Sequence, residues 1–215
     1  MVSTMKPKTA APVSVDQLMN DLISLLEPEV YLESHGAALF EDYGSTAGRW
    51  IKVDDVEDYF SCTSCERPSI DLAQVGGGRV FEDALRDFVH VERHAMPGAV
   101  VVFTDVLPTS QDMAWRVAPP AMEVPHAYTG DIFKIHDILG EYRPDLTLRL
   151  VDAAPHGALI VSGLDSRNVV LDRKFDQIVG DWRPRHLVPD RIWSHLGAMP
   201  VADALAELAA ERKGR

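Results

Sequence analysis

The sequence predicts an α/β protein of three layers. Its mostly parallel sheet finishes in an antiparallel strand pair, and C-terminal helices follow. Three observations predict this. The stretch AVVVFTD (residues 99–105) is an unbroken apolar, largely β-branched run, the mark of a strand buried on both faces of a parallel sheet. Just before it, FEDALRDFVHVERH (81–94) sets Phe81, Ala84, Leu85, Phe88 and Val89 on one helical face, and SIDLAQV (69–75) reads as a strand. Strand, helix and strand joined by short connections imply parallel neighbours with a right-handed crossover. Finally, LTLRLVDA (146–153) and GALIVSGLD (157–165) are separated by APH alone, too short for anything but antiparallel pairing.

The remaining elements follow in order. Residues 1–13 carry no apolar pattern and read as a disordered tail. Ser14 and Gln17 fit a capping box, and Leu18, Leu22, Ile23, Leu25 and Leu26 form the apolar stripe of a first helix that Pro28 stops. VYLES (30–34) is a strand, GRWIKVDD (48–55) a second short strand and DDVEDYF (54–60) a short helix. The triplet Gly76–Gly78 closes the SIDLAQV strand, and MPG (96–98) breaks the helix after it. Residues 106–130, with Pro108, Pro119, Pro120 and Pro125, read as a long lid or binding loop. DIFKIHDILGEY (131–142) resumes as a helix with Asp131 as its N-cap. FDQIVGDW, PDRIWSHLG and VADALAELAAERKG make a helical C-terminal third, with Trp182 and Trp193 on apolar faces. The last helix reads as a dimer face or, more simply, a lid over the core. The expected organisation is the tail 1–13, an α/β domain 14–165 and a helical extension 166–215 packed on it.

Composition narrows the function. The chain has 215 residues, 46% apolar and 25% charged, an ordinary globular balance. A net charge of −12 disfavours nucleic acid and anionic membrane surfaces alike. No apolar run approaches the length of a bilayer span, and the N-terminus lacks a signal-peptide core, so the expected compartment is the cytoplasm. Cys62 and Cys65 form a CxxC pair; His90 and His94 would have to complete a zinc site, and two reduced thiols near a loop is the simpler expectation.

Candidate site residues cluster where α/β sheets bind ligands, at strand C-termini. Glu33 ends the VYLES strand, before a turn that holds Gly36 as its one glycine. Asp105 ends the most buried strand and is the candidate general base or polar pocket contact. Gly76–Gly78 precede a helix and offer backbone amides to an anion, although a turn that merely needs positive φ is the better explanation. Arg79 would oppose the dipole of that helix, which asks for a carboxylate or an anionic ligand beside it. His126, Tyr128 and Lys134 are candidates to line a pocket beneath the long loop. No GxSxG elbow supports serine-hydrolase chemistry.

Two stretches carry a resemblance. IDLAQVGGGRVFEDALRDFVHVERHAMPGAVVVFTDVLP (70–108) and GDIFKIHDILGEYRPDLTLRLVDAAPHGALIVSGL (130–164) resemble, in order and spacing, the class I S-adenosylmethionine-dependent methyltransferases, in particular their small-molecule O-methyltransferase-like branch. There a DLxxIDGxH strand leads to an LRDF helix, a PGGxIxxDDxLP strand and a GDVWKL helix. The resemblance implies a Rossmann-like sheet with S-adenosylmethionine at Glu33, Gly36, Asp54 and Gly76, and a substrate hydroxyl near Asp105. The departures fall on the chemistry. The turn after Glu33 has Ser34, His35 and Ala37 where the branch has glycines; Gly76 stands for its acid, Arg79 for its histidine, and Thr104 with Asp105 for its paired acids. No metal is therefore expected, since hard cations need several oxygen ligands. The segment between the first strand and SIDLAQV is also short for the usual elements. Together these departures favour a non-catalytic scaffold or silent subunit, alone as a homodimer or beside a partner enzyme; the alternative is an active, metal-independent O-methyltransferase.

Overall fold

The computed structural model describes residues 12–34, 48–61, 67–76, 78–117 and 128–214. In chain order the elements are α1 (Val15–Leu26), β1 (Val30–Ser34), β2 (Arg49–Val53), α2 (Val56–Ser61), β3 (Ile70–Val75), α3 (Phe81–Arg93), β4 (Ala95–Thr104), α4 (Lys134–Tyr142), β5 (Thr147–Val151), β6 (Ala158–Ser162), α5 (Val170–Trp182), α6 (Asp190–Trp193) and α7 (Val201–Lys213). The sheet runs β2-β1-β3-β4-β6-β5. The first four strands in that order are parallel; β6 enters antiparallel to β4, and β5 pairs antiparallel with β6. The segments 70–75 and 99–104 are thus parallel neighbours, with Leu72 opposite Val100 and Val75 opposite Phe103.

Alternation along β4 divides the core. Val101 and Phe103 join Phe81, Phe88 and Ile138 on the α3–α4 face, whereas Val100 and Val102 join Leu18, Leu22 and Leu208 on the α1–α7 face. Both faces are covered, which is why the strand reads as a continuous apolar run. Each fully buried Leu or Phe contributes about 1.5–3 kcal/mol by leaving water. The inner line of α7, namely Val201, Ala204 and Leu208, is buried beside α1. That line is therefore used within the molecule.

Two local details differ from expectation. MPG does not lie between elements but inside β4: pairing runs from Ile70–Ala95 to Leu72–Val100, so the strand bulges at Met96–Gly98. The capping box is half formed. Ser14 Oγ accepts the Gln17 N–H at 3.1 Å, but the Gln17 amide turns to Asp21.

Asp131 differs more. The helix it was expected to start begins at Lys134, and Asp131 sits in the preceding turn. Its Oδ1 instead accepts the N–H of Phe81 at 3.0 Å, capping α3 across fifty positions. Val80, the local N-cap residue of α3, has no side chain able to do this. Asp131 Oδ2 accepts from Lys134 Nζ and Arg116 Nη1, both at 2.8 Å. Arg116 also donates to Glu82 at 2.7 Å, and Glu82 accepts from Arg183 at 2.8 Å. Burial pushes the Lys134 ammonium below its usual range, with Asp131 opposing. For Glu82, burial pushes upward, but Arg116 and Arg183 outweigh it and hold the carboxyl low.

Removing one member of such a buried pair leaves an uncompensated charge and costs about 3–5 kcal/mol. Asp131→Ala is therefore expected to lower the Tm on the order of 10 °C, at roughly 2–4 °C per kcal/mol for a chain of this size. The double variant Asp131→Ala/Lys134→Met should recover part of that loss in thermal unfolding followed by circular dichroism.

Candidate functional site

Parallel order places the carboxyl ends of β1, β2, β3 and β4 on one edge, and the β5–β6 turn returns to the same edge. Five groups lie along it: Asp54, Glu33–Ser34, Gln74–Gly76, Thr104–Asp105 and His156–Gly157. Gly36 and His35 lie outside the described residues, as do Cys62, Cys65, Gly77 and His126.

Glu33 stands opposite Lys52 of β2 and Gln74 of β3 and is only 2% exposed, so it is not a rim charge. Burial pushes its carboxyl above the usual range, while Lys52 and the Trp50 indole pull it back. Its Oε2 has no hydrogen-bond partner among the described residues. Beside it the Tyr31 hydroxyl donates to Gln74 Oε1 at 3.0 Å. Asp54 follows β2 and is exposed, and its neighbour Asp55 caps α2 by accepting the Asp58 N–H at 2.8 Å.

Gly76 has a packing explanation. Its φ is +148°, and a Cβ there would lie 2.9 Å from Thr104 Oγ1 and 3.2 Å from Thr104 N. β3 and β4 come together at this point too closely for a side chain. The amino end of α3, expected as an anion receptor through Gly76–Gly78, already holds the Asp131 carboxylate. Arg79 precedes the helix and has left-handed backbone, with φ 57°.

Asp105 also has left-handed backbone, φ 61°, at the end of the central strand. Its N–H donates to Gly157 O at 3.2 Å, and Leu107 N–H donates to His156 O at 2.7 Å. A Cβ on Gly157 would lie 2.4 Å from Leu107 Cδ1, so the β5–β6 turn is pressed onto residues 105–107. Burial pushes the Asp105 carboxyl up, and the charges of His156 and Arg79 oppose that shift. Arg79 thus has the neighbouring carboxylate that its position asked for. Sequence reasoning missed His156, because APH reads only as a connector. The one available signal was that an antiparallel return must end beside its partner strand's terminus.

The loop 106–130 is less of a lid than expected in its described part. Val106, Leu107, Met113, Ala114 and Tyr128 are buried, and a short 3₁₀ turn spans Gln111–Ala114. Lys134 does not line a pocket beneath this loop; it lies 1% exposed inside the Asp131 network. The zinc alternative gains no partner from the histidines. His94 stacks on Phe60 at 3.9 Å, its Nδ1 lies 2.8 Å from His90 O, and burial lowers His90. Among the described residues no group of three or more His, Cys, Asp or Glu is placed to hold a metal ion, and no helix is long and apolar enough to cross a membrane. A cavity of about 230 Å³ lies at the opposite, amino edge, between Leu26, Asp71, Pro97 and Arg212.

This strand order, four parallel strands closed by an antiparallel pair, is the Rossmann-like sheet of the class I methyltransferase fold. No family model matches the sequence. No curated protein matches it either. Three solved structures are similar to it. The O-methyltransferase TomG from Streptomyces achromogenes, in complex with SAM, is 18% identical over 74% of this chain and 82% of its own, with a TM-score of 0.45. The O-methyltransferase from Bacillus cereus, in complex with SAH, is 11% identical over 73% and 84%, at 0.46. The cofactor-bound Rv0187 protein from MTB is 16% identical over 74% and 84%, also at 0.46.

The raised Asp105 carboxyl makes a stability prediction. An acid whose folded pKa exceeds its unfolded value favours the folded state most at low pH, and that contribution is lost as pH rises through the folded pKa. Asp105→Asn is therefore expected to raise the Tm at neutral pH, and the gain should vanish below the ordinary carboxyl value of 3.8. A series of thermal melts against pH checks this.

Proposed function

We propose that this edge binds S-adenosylmethionine and that the protein transfers a methyl group to a hydroxyl of a small molecule without a metal. One observation carries this: Asp105 is a half-buried carboxylate in left-handed backbone at the end of the central strand, with its carboxyl raised and the charges of His156 and Arg79 acting on it. Perturbed, strained groups of this kind gather at functional sites.

The residues fit the cofactor. Glu33 offers a buried oxygen that lacks a protein partner among the described residues, and Asp54 offers an exposed carboxylate at the next strand end. Either would suit the hydroxyls or ammonium of an adenosyl amino acid. They do not fit the metal of the resembled branch, because Gly76 stands where its acid would be and Thr104 leaves no room for a side chain. When bound, S-adenosylmethionine supplies an electrophilic methyl group on a sulfonium sulfur. Asp105 then takes the acceptor hydroxyl's proton, and the fixed strand ends align the acceptor. Alignment is worth about 7–11 kcal/mol and a positioned base roughly 10²–10⁴ in rate.

A second reading, the non-catalytic scaffold or silent subunit, is favoured by the segment 78–81. Gly130 is so close to Arg79 that a Cβ would lie 1.7 Å from its carbonyl oxygen, and Asp131 donates its N–H to that oxygen at 3.1 Å. This stretch, matched to the metal-binding motif of the resembled branch, serves packing here.

Calorimetric titration with S-adenosylmethionine and S-adenosylhomocysteine separates the two. Micromolar binding, about −8 kcal/mol, supports the enzyme. In that case Asp105→Asn should retain cofactor binding and lower methyl transfer to hydroxyl acceptors by roughly 10²–10⁴. Absence of heat from folded protein at millimolar ligand supports the scaffold.

A further inference from the structure

The cavity at the amino edge of the sheet lies where the strand ladder breaks. Ile70 pairs with Ala95 and Leu72 with Val100, so residues 96–99 of β4 stand against Asp71 alone on β3. A bulge of this kind bends its strand and re-aims side chains beside it. Here it leaves about 230 Å³ between Pro97, Gly98, Asp71, Leu26 at the end of α1 and Arg212 in the last turn of α7. Two opposite charges line this space. Asp71 is half-buried, and its Oδ2 accepts the Val30 N–H at 2.9 Å, which holds the carboxylate beside the start of β1. Its other oxygen has no partner among the described residues. Arg212 is exposed and forms no ion pair among the described residues, with Asp71 or any other acid. Leu26, 6% exposed, and Pro97 supply apolar wall. An acid and a base held apart across a small, partly apolar space match a molecule that carries both charges on a short frame. The volume lies below the roughly 300–1,000 Å³ of pockets for larger ligands, which excludes a nucleotide or a peptide.

We propose that this cavity binds a free apolar α-amino acid, with its ammonium on Asp71, its carboxylate on Arg212 and its side chain against Leu26 and Pro97. The site is at the edge opposite Asp105 and stands independently of methyl transfer. A carboxylic acid without the ammonium would meet Asp71 with a like charge, and an amine without the carboxylate would leave Arg212 unmatched.

The test is titration of the full chain with leucine, N-acetylleucine and leucinamide, followed by backbone amide shifts in NMR. Acetylation removes the cation and amidation the anion, while the side chain is unchanged. Leucine is expected to bind with a roughly millimolar Kd and to shift amides around Asp71 and Gly98. N-acetylleucine should bind about tenfold more weakly or worse, the range of a charge-assisted bond to a half-buried carboxylate. Leucinamide should bind about two- to fivefold more weakly, because an exposed guanidinium is screened by water. Asp71→Asn keeps an acceptor for the Val30 N–H and should erase the difference between leucine and N-acetylleucine. Arg212→Gln, at an exposed position, should erase the difference between leucine and leucinamide. In the wild-type chain, no saturable shift with leucine, equal affinity for leucine and N-acetylleucine, or shifts centred on the carboxyl edge each overturn the proposal. So does a discrimination against N-acetylleucine that survives in folded Asp71→Asn. Should that variant not fold, a discrimination against leucinamide that survives in Arg212→Gln overturns it equally.

Discussion

The Asp131 carboxylate bonds to partners from three separate places in the chain: the first N–H of α3, the Lys134 ammonium at the start of α4 and the Arg116 guanidinium. Much of the structure depends on this. It fixes where α3 begins, and with it the direction in which the chain leaves β3. Gly130 and Asp131 also hold the Arg79 carbonyl, so the loop between β3 and α3 has one available path. A buried ion cluster of this kind is weak as a source of net stability, because desolvation offsets the attraction. Its effect is on geometry, since any shift of α3 strands a charge.

The same device recurs away from the site. Arg143, 1% exposed, joins Glu92 of α3 to Asp145, and the other oxygen of Glu92 accepts the Asp165 N–H at 3.2 Å. Arg149 of β5 reaches Ser162 of β6 together with Glu207 and Glu211 of α7. Apolar burial gives the layers their cohesion, and it would tolerate small slides of one helix over the sheet. The three arginine- and lysine-centred clusters set the register that apolar contact leaves loose.

Against that rigid frame the carboxyl edge holds groups that oppose folding. Glu33 is buried and Asp105 half-buried, both with their carboxyls raised, and Arg79 and Asp105 both occupy left-handed backbone. Asp tolerates that conformation better than most residues, and an arginine has no such excuse. Costs gathered at one edge and compensated by packing elsewhere are what the proposed function would account for. Gly76 shows the other side of the same arrangement. The resembled motif has an acid there; here the sheet closes over the position, and the chemistry left to the edge is that of a carboxylate, an imidazole and a guanidinium.

The elements themselves were legible in the sequence. Apolar period and turn residues located the six strands and each of the major helices among the described residues, because those signals act over a few residues. They also gave the parallel pairing of β3 with β4 and the antiparallel β5–β6 return, since connection length limits both. Glu33 and Asp105 were legible as acids at strand ends. The tertiary structure alone decided that Asp131 caps a distant helix, that Lys134 is a core cation, that Gly76 abuts Thr104 and that the His156–Gly157 turn bonds to the backbone of Asp105 and Leu107. Each of these is a contact between residues far apart in the chain, fixed by the stacking of layers. No local propensity records which distant atom will fill a given hydrogen bond.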